Sequence, residues 1–179
     1  MTAPQYPAGP FVPDERYSEE RRQESITVLE QAPAALRAAV AGLSEEQLDT
    51  RYRNWSIRQI VHHMADSHVN AYVRFKLALT EDRPTIKPYD EGRWVALEDS
   101  RSGSLAAPLA LLEGLHASWV QLLRSMTAEQ YARSYFHPEM GEEVPLFRAL
   151  GSYAWHSRHH TGQILWLREQ RGWKSAASR

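Results

Sequence analysis

Four stretches of this chain carry apolar side chains at helical spacing, and little between them alternates as a strand would. Ile26, Leu29, Leu36 and Val40 form the first stripe. Ser18 can cap it ahead of Glu19, and Pro33 interrupts it, giving one kinked helix or two short ones. Ile57, Ile60, Val61, Met64, Ala71, Phe75 and Leu79 form the second, with Ser56 as its N-cap. The third lies within Leu105 to Ser125 and buries Leu109, Leu112, Leu115, Trp119, Leu122 and Leu123. The fourth runs from about Val144 to Gln170, entered by Pro145 and ending near Gly172. Four amphipathic helices bury their stripes best against one another, so the expected fold is an all-α four-helix bundle.

The connections follow from local chemistry. The first 16 residues carry four prolines, too many for regular structure, so residues 1–17 read as an extended arm packed on the body. The bundle then spans 18–172, and 173–179 form a C-terminal tail. Ser44-Glu45-Glu46-Gln47 and Thr127-Ala128-Glu129-Gln130 are capping signals for short segments. Residues 81–103 read as a long loop between the second and third helices, with one helical turn near Trp94-Val95-Ala96-Leu97. Tyr89 and Trp94 favour an ordered loop. Arg133 to Glu143 can form a hairpin or an irregular loop.

Composition narrows the chemistry. With no cysteine, a transition metal must be held by His, Asp or Glu. The 21 basic and 22 acidic side chains are interspersed, which argues against nucleic acid or an anionic membrane as partner. No apolar run approaches the roughly 20 residues of a membrane span, and the polar, proline-rich N-terminus is unlike a signal peptide. A cytoplasmic protein acting on a small molecule is the expectation.

The histidines are the candidate chemistry. In His156-Ser157-Arg158-His159-His160, His156 and His160 stand four apart on the fourth helix, one turn above each other, so both imidazoles can reach one ion. At about 100° per residue they flank the apolar face, whereas His159 points well away from it. On the second helix His68 falls near the centre of the apolar stripe, His63 on one flank and His62 on the other. Position alone leaves both His63 and His68 open as a third ligand. Asp66, three residues after His63, is a candidate base or orienting group. His116 on the third helix reads as structural. A site of three imidazoles and no carboxylate keeps an open position, and the ion's undiminished charge strongly acidifies a water or thiol there. There is no His-Glu-x-x-His, so a zinc-protease arrangement is not supported.

Asn54-Trp55-Ser56-Ile57-Arg58-Gln59-Ile60-Val61-His62-His63-Met64-Ala65-Asp66 resembles the second-helix signature of the DinB-like superfamily, in which a ligand histidine follows the Trp by eight residues. Tyr153 through Ile164 resembles its fourth-helix signature. The stretches 68–81 and 84–89, with Phe136-His137-Pro138-Glu139, are similar to one branch, the YfiT-type metal-dependent hydrolases. The resemblance implies an up-down-down-up topology, a homodimer, and one divalent ion per chain, zinc or nickel, on His63, His156 and His160. It implies hydrolysis, with Asp66 or one of Glu139, Glu142 and Glu143 as base. The alternative in related proteins is thiol S-transfer with bacillithiol or mycothiol as co-substrate, for which Arg58, Arg74, Lys76 and Arg158 are candidate anchors. A non-enzymatic, metal-binding stress protein is the third reading. A fourth protein ligand such as His137 would favour it.

Overall fold

The computed structural model describes residues 2–173. The last six residues of the expected tail lie outside them. Four long helices dominate: α1 (Glu19–Val40), α3 (Ile57–Thr80), α6 (Ala106–Ser125) and α8 (Leu146–Arg171). Between α1 and α3 come a one-turn helix α2 (Glu45–Leu48) and a hairpin of two-residue strands, β1 (Arg51–Tyr52) and β2 (Trp55–Ser56). The segment between α3 and α6 is ordered around α4 (Glu91–Trp94) and α5 (Glu98–Ser102), two short helices where one turn was expected. Between α6 and α8 stand α7 (Ala128–Ala132) and an antiparallel hairpin, β3 (Ser134–His137) with β4 (Glu142–Pro145).

The helix starts are where capping chemistry places them. Ser56 Oγ accepts from the Gln59 backbone N–H while Gln59 Oε1 accepts from the Ser56 N–H. Ser44 with Gln47 and Thr127 with Gln130 repeat the same reciprocal box. Gly172 closes α8 in the left-handed conformation at φ 63°, a backbone state that glycine adopts without strain. Pro33 does not divide α1, which runs unbroken through it.

Two apolar clusters give the topology. At one end the late residues of α1 (Leu36, Ala39, Val40) meet the early residues of α3 (Ile57, Ile60, Val61, Met64) and α6 (Leu109, Leu112) and the late residues of α8 (Ile164, Leu167). At the other end Ile26 and Leu29 meet Phe75 and Ala78, Trp119 and Leu123, and Leu146, Ala149 and Leu150. So α1 and α8 run one way and α3 and α6 the other, which is up-down-down-up. Each fully buried Leu or Ile contributes roughly 1.5–3 kcal/mol. The middle of the bundle, between these clusters, carries the histidines.

The N-terminal arm packs on α8. Trp155 Nε1 donates to the Gly9 carbonyl, and Tyr6 and Phe11 lie against the Trp155 ring. Gly162 faces the arm at Pro7, where a β-carbon would stand 3.4 Å from the proline ring.

Candidate metal centre

His63 on α3 and His156 and His160 on α8 converge, their ligand nitrogens all within 4.8 Å of one another. His63 Nε2 stands 3.1 Å from His156 Nε2. Two imidazole nitrogens on one tetrahedral zinc lie about 3.3 Å apart, given Zn–N distances of about 2.0–2.1 Å. The rings of His156 and His160 meet edge to face with centroids 4.4 Å apart, and Trp55, delivered by β2, lies 4.6 Å from the His63 ring. The short β1–β2 turn that positions Trp55 holds Arg53 at φ 55°, a conformation few non-glycine residues adopt.

The donor set suits a cation. Burial, then His159, pushes the His63 imidazole down to about 4. Burial, then the neighbouring imidazoles, holds His156 and His160 well below an ordinary histidine. All three are therefore neutral at pH 7, the form that binds metal. Gln163 fixes His160: its Oε1 accepts from His160 Nδ1–H at 2.9 Å, which leaves Nε2 as the lone pair. The other end of the Gln163 amide donates to His159 Nε2 at 3.0 Å. Among the described residues, no fourth histidine or carboxylate joins the group. His137 lies on β3, lining a cavity beside the centre instead.

Two cavities meet at His156. One, of about 440 Å³, is walled by Trp55, His63, His160, Trp155 and Gln5 of the arm. The other, of about 530 Å³, is walled by Arg74, Tyr89, His137, Glu139 and Tyr153. Glu91 lines both, and its carboxyl is raised by burial, then by Asp90 and Glu139. A larger groove of about 640 Å³ between α1 and α6 is rimmed by the ion pairs Arg37–Glu113 and Arg124–Glu30.

A family model for the DinB superfamily matches residues 28–164. The chain belongs to the DinB superfamily. YfiT of Bacillus subtilis is 48% identical over 170 residues, covering 94% of this chain and 96% of YfiT. A solved structure of YfiT superposes with a TM-score of 0.92 at 47% identity, over 94% of this chain and 98% of that one. It is described as "a probable metal-dependent hydrolase with an unusual four-helix bundle topology". A Geobacillus thermodenitrificans protein bearing the same metal-dependent hydrolase name is 44% identical over 170 residues, 94% of this chain and 96% of its own.

The other expected site residues fall in several places. His68 is fully buried between His156 and His116, hydrogen-bonded to both. Asp66 lines neither cavity. It is pushed up to about 6 by burial, then by Asp99 of α5. Arg58, a candidate anchor, is buried and lines neither cavity. It is 3% exposed and clamps Glu45, Asp49 and the Gly103 carbonyl, so each of its three nitrogens is already engaged. Arg74 faces the second cavity and donates to Tyr153 Oη at 3.1 Å. Lys76 and Arg158 are exposed, Lys76 over the Tyr72 ring. Glu142 and Glu143 pair with Arg148 and Arg83. His159 does point away from the core, but the arm covers it: it stacks on Trp155 beneath Tyr6 and is buried. Glu91 is a cavity residue that motif reasoning passed over, whereas Trp55, the anchor of the second-helix signature, also walls the first cavity. Glu91 sat in a stretch read as loop, and its only signal was a charged side chain beside Trp94.

Proposed function

We propose that this protein is a metal-dependent hydrolase of small molecules that holds one divalent ion, zinc by preference and nickel as the alternative, on His63, His156 and His160. The observation that carries this reading is the convergence of three neutral imidazoles where two cavities meet, with no fourth His or carboxylate donor in the group among the described residues. The hydrolase names of the relatives support it. A divalent ion so held supplies Lewis acidity, acidifying a water and polarising a substrate oxygen.

This chain's own residues supply the rest. Hydrolysis joins the oxygen of water to the electrophilic carbon, and one proton passes from that water to the leaving group. Glu91 is the carboxylate placed to hold and move that proton, because it opens on both cavities. Its raised pKa makes it a stronger base than an ordinary glutamate. Trp55 and Trp155 wall the first cavity with apolar surface. Arg74, steadied by Tyr153, presents a guanidinium to a polar group of substrate in the second. Cavities of this size suit a small molecule. Assembly as a homodimer remains part of the reading, to be checked by light scattering.

The test is turnover of a panel of esters, amides and lactones by the metal-stripped and zinc-reconstituted full chain, with and without bacillithiol, mycothiol or glutathione. Zinc-dependent hydrolysis without thiol is expected. It should be lost in His160→Ala and lowered about 100-fold in Glu91→Gln. Asp66→Asn should leave it unchanged. That variant also gains stability, because the folded state holds the Asp66 proton up to about pH 6 whereas the unfolded chain releases it near 3.8. The penalty is therefore complete at pH 7, and its removal is worth about 1 kcal/mol after solvent screening. Turnover that requires one thiol would replace hydrolysis with S-transfer. Bound zinc with no turnover would leave a metal-binding stress protein.

A further inference from the structure

Pro33 has no N–H, and in an α-helix the residue at position 33 would donate to the carbonyl of Leu29. The Leu29 carbonyl is thus released from the helical ladder inside the packed core, where an unpaired acceptor is costly. His116 of α6 takes it up: its Nδ1 lies 2.5 Å from the Leu29 oxygen. From there three imidazoles follow one another across the bundle. His116 Nε2 lies 2.8 Å from His68 Nδ1, and His68 Nε2 lies 3.2 Å from His156 Nδ1.

A carbonyl only accepts, and a neutral imidazole carries one N–H and one lone pair. His116 therefore holds its proton on Nδ1 and accepts at Nε2. His68 must donate from Nδ1, so it accepts at Nε2. His156 must donate from Nδ1, so its Nε2 is bare, and that is the nitrogen facing His63. Each link leaves one assignment, and none of these ring nitrogens is among the buried polar atoms without a partner. With the opposite polarity Leu29 would lose its donor, and His156 would carry a proton on the nitrogen that must ligate. We infer that Pro33 and His116 are positioning residues: the carbonyl that Pro33 releases sets, through His116 and His68, the tautomer in which His156 binds metal. Only the last link rests on the proposed metal centre.

The test has two readouts on the full-length chain. Long-range ¹H–¹⁵N NMR of the metal-free protein reports the tautomer of each ring without reference to metal or activity. Protons on Nδ1 of His116, His68 and His156 are expected. A dominant Nε2–H form of His116 or His68 would overturn the inference, whatever the protein's activity. The second readout is the zinc dissociation constant, by competition with a chromophoric chelator, in His116→Met and His116→Gln. Methionine gives the Leu29 carbonyl no donor and leaves His68 without its partner, so a 10–100-fold loss of zinc affinity is expected. Glutamine carries a donor and an acceptor and should restore affinity to within a few-fold of the parent, although it packs no better than methionine. Equal losses in both variants, with their metal-free melting temperatures compared, would mean that His116 matters only as packing. Unchanged affinity in both would also overturn the inference. A parent chain that binds no zinc while showing the expected tautomers would fail the proposed function and leave the chain's polarity standing.

Discussion

The two candidate ligand histidines of α8 are held by supports of different kinds. His156 is backed by two further rings and ends on the backbone carbonyl of Leu29, an acceptor that cannot turn or change its proton count. His160 is backed by Gln163, whose amide can rotate, and then by His159. That branch has no fixed end: His159 accepts at Nε2, so its Nδ1 carries a proton, and this atom is buried without a partner beneath the arm. An unsatisfied buried donor costs about 1–3 kcal/mol. The contrast teaches that a ligand's tautomer is only as well defined as the last group in its hydrogen-bond chain. Of the two candidate ligands, His156 is the preorganised one and His160 the adjustable one.

The largest effect tests the ligands themselves. His63→Ala or His160→Ala should leave the helical content nearly intact and abolish stoichiometric zinc after gel filtration. Metal analysis together with circular dichroism reads both. Zinc retained in both variants would break the three-histidine assignment.

Next comes pH. The His63 imidazole is held near 4 when folded, against about 6.5 for a free histidine. Between those values the unfolded chain binds a proton that the folded one does not. Stability of the metal-free protein is therefore full above about pH 6.5 and falls as pH drops toward 4, by about 3 kcal/mol from His63. Urea titrations at pH 7.5 and 5 check the sign. Stability that rises toward pH 5 would contradict the neutral, buried cluster.

The comparison sharpens at Gln163. A carboxylate there accepts only, so Gln163→Glu should remove the ambiguity of the amide, donate charge to His160 and let His159 turn donor. Zinc affinity should rise up to about tenfold, measured by chelator competition. A fall would mean that the His160 branch is already as well defined as the other.

The smallest effect is expected at Pro33. Pro33→Ala restores an N–H that competes for the Leu29 carbonyl. It should raise the melting temperature, since proline costs a helix interior about 3 kcal/mol, while weakening zinc by a few-fold. Higher stability with unaltered zinc affinity would remove Pro33 from the chain of cause.

Much of this architecture is legible in the sequence, for reasons that stay local. Serine or threonine with glutamine three residues on marks three helix starts, and the capping boxes form at each. The i, i+4 spacing of His156 and His160 brings the two rings together, because a helix turn is the only geometry required. What the sequence leaves open depends on distant contacts. A wheel cannot separate His63 from His68, because both are buried and the distinction lies in what each meets on α6 and α8. The helix wheel also points His159 away from the core, because it knows nothing of the arm that covers it. Pro33 reads as an interruption in α1. Its consequence appears only once His116 is seen to stand beneath the carbonyl it releases.

The most direct measurement of the metal centre is X-ray absorption on the zinc-loaded full chain, which counts the ligands and identifies imidazole by its outer scattering. Three imidazole nitrogens at about 2.0–2.1 Å with at least one further light-atom ligand from solvent are expected. Four imidazoles, or a signal unchanged in His156→Ala, would contradict an open three-histidine centre.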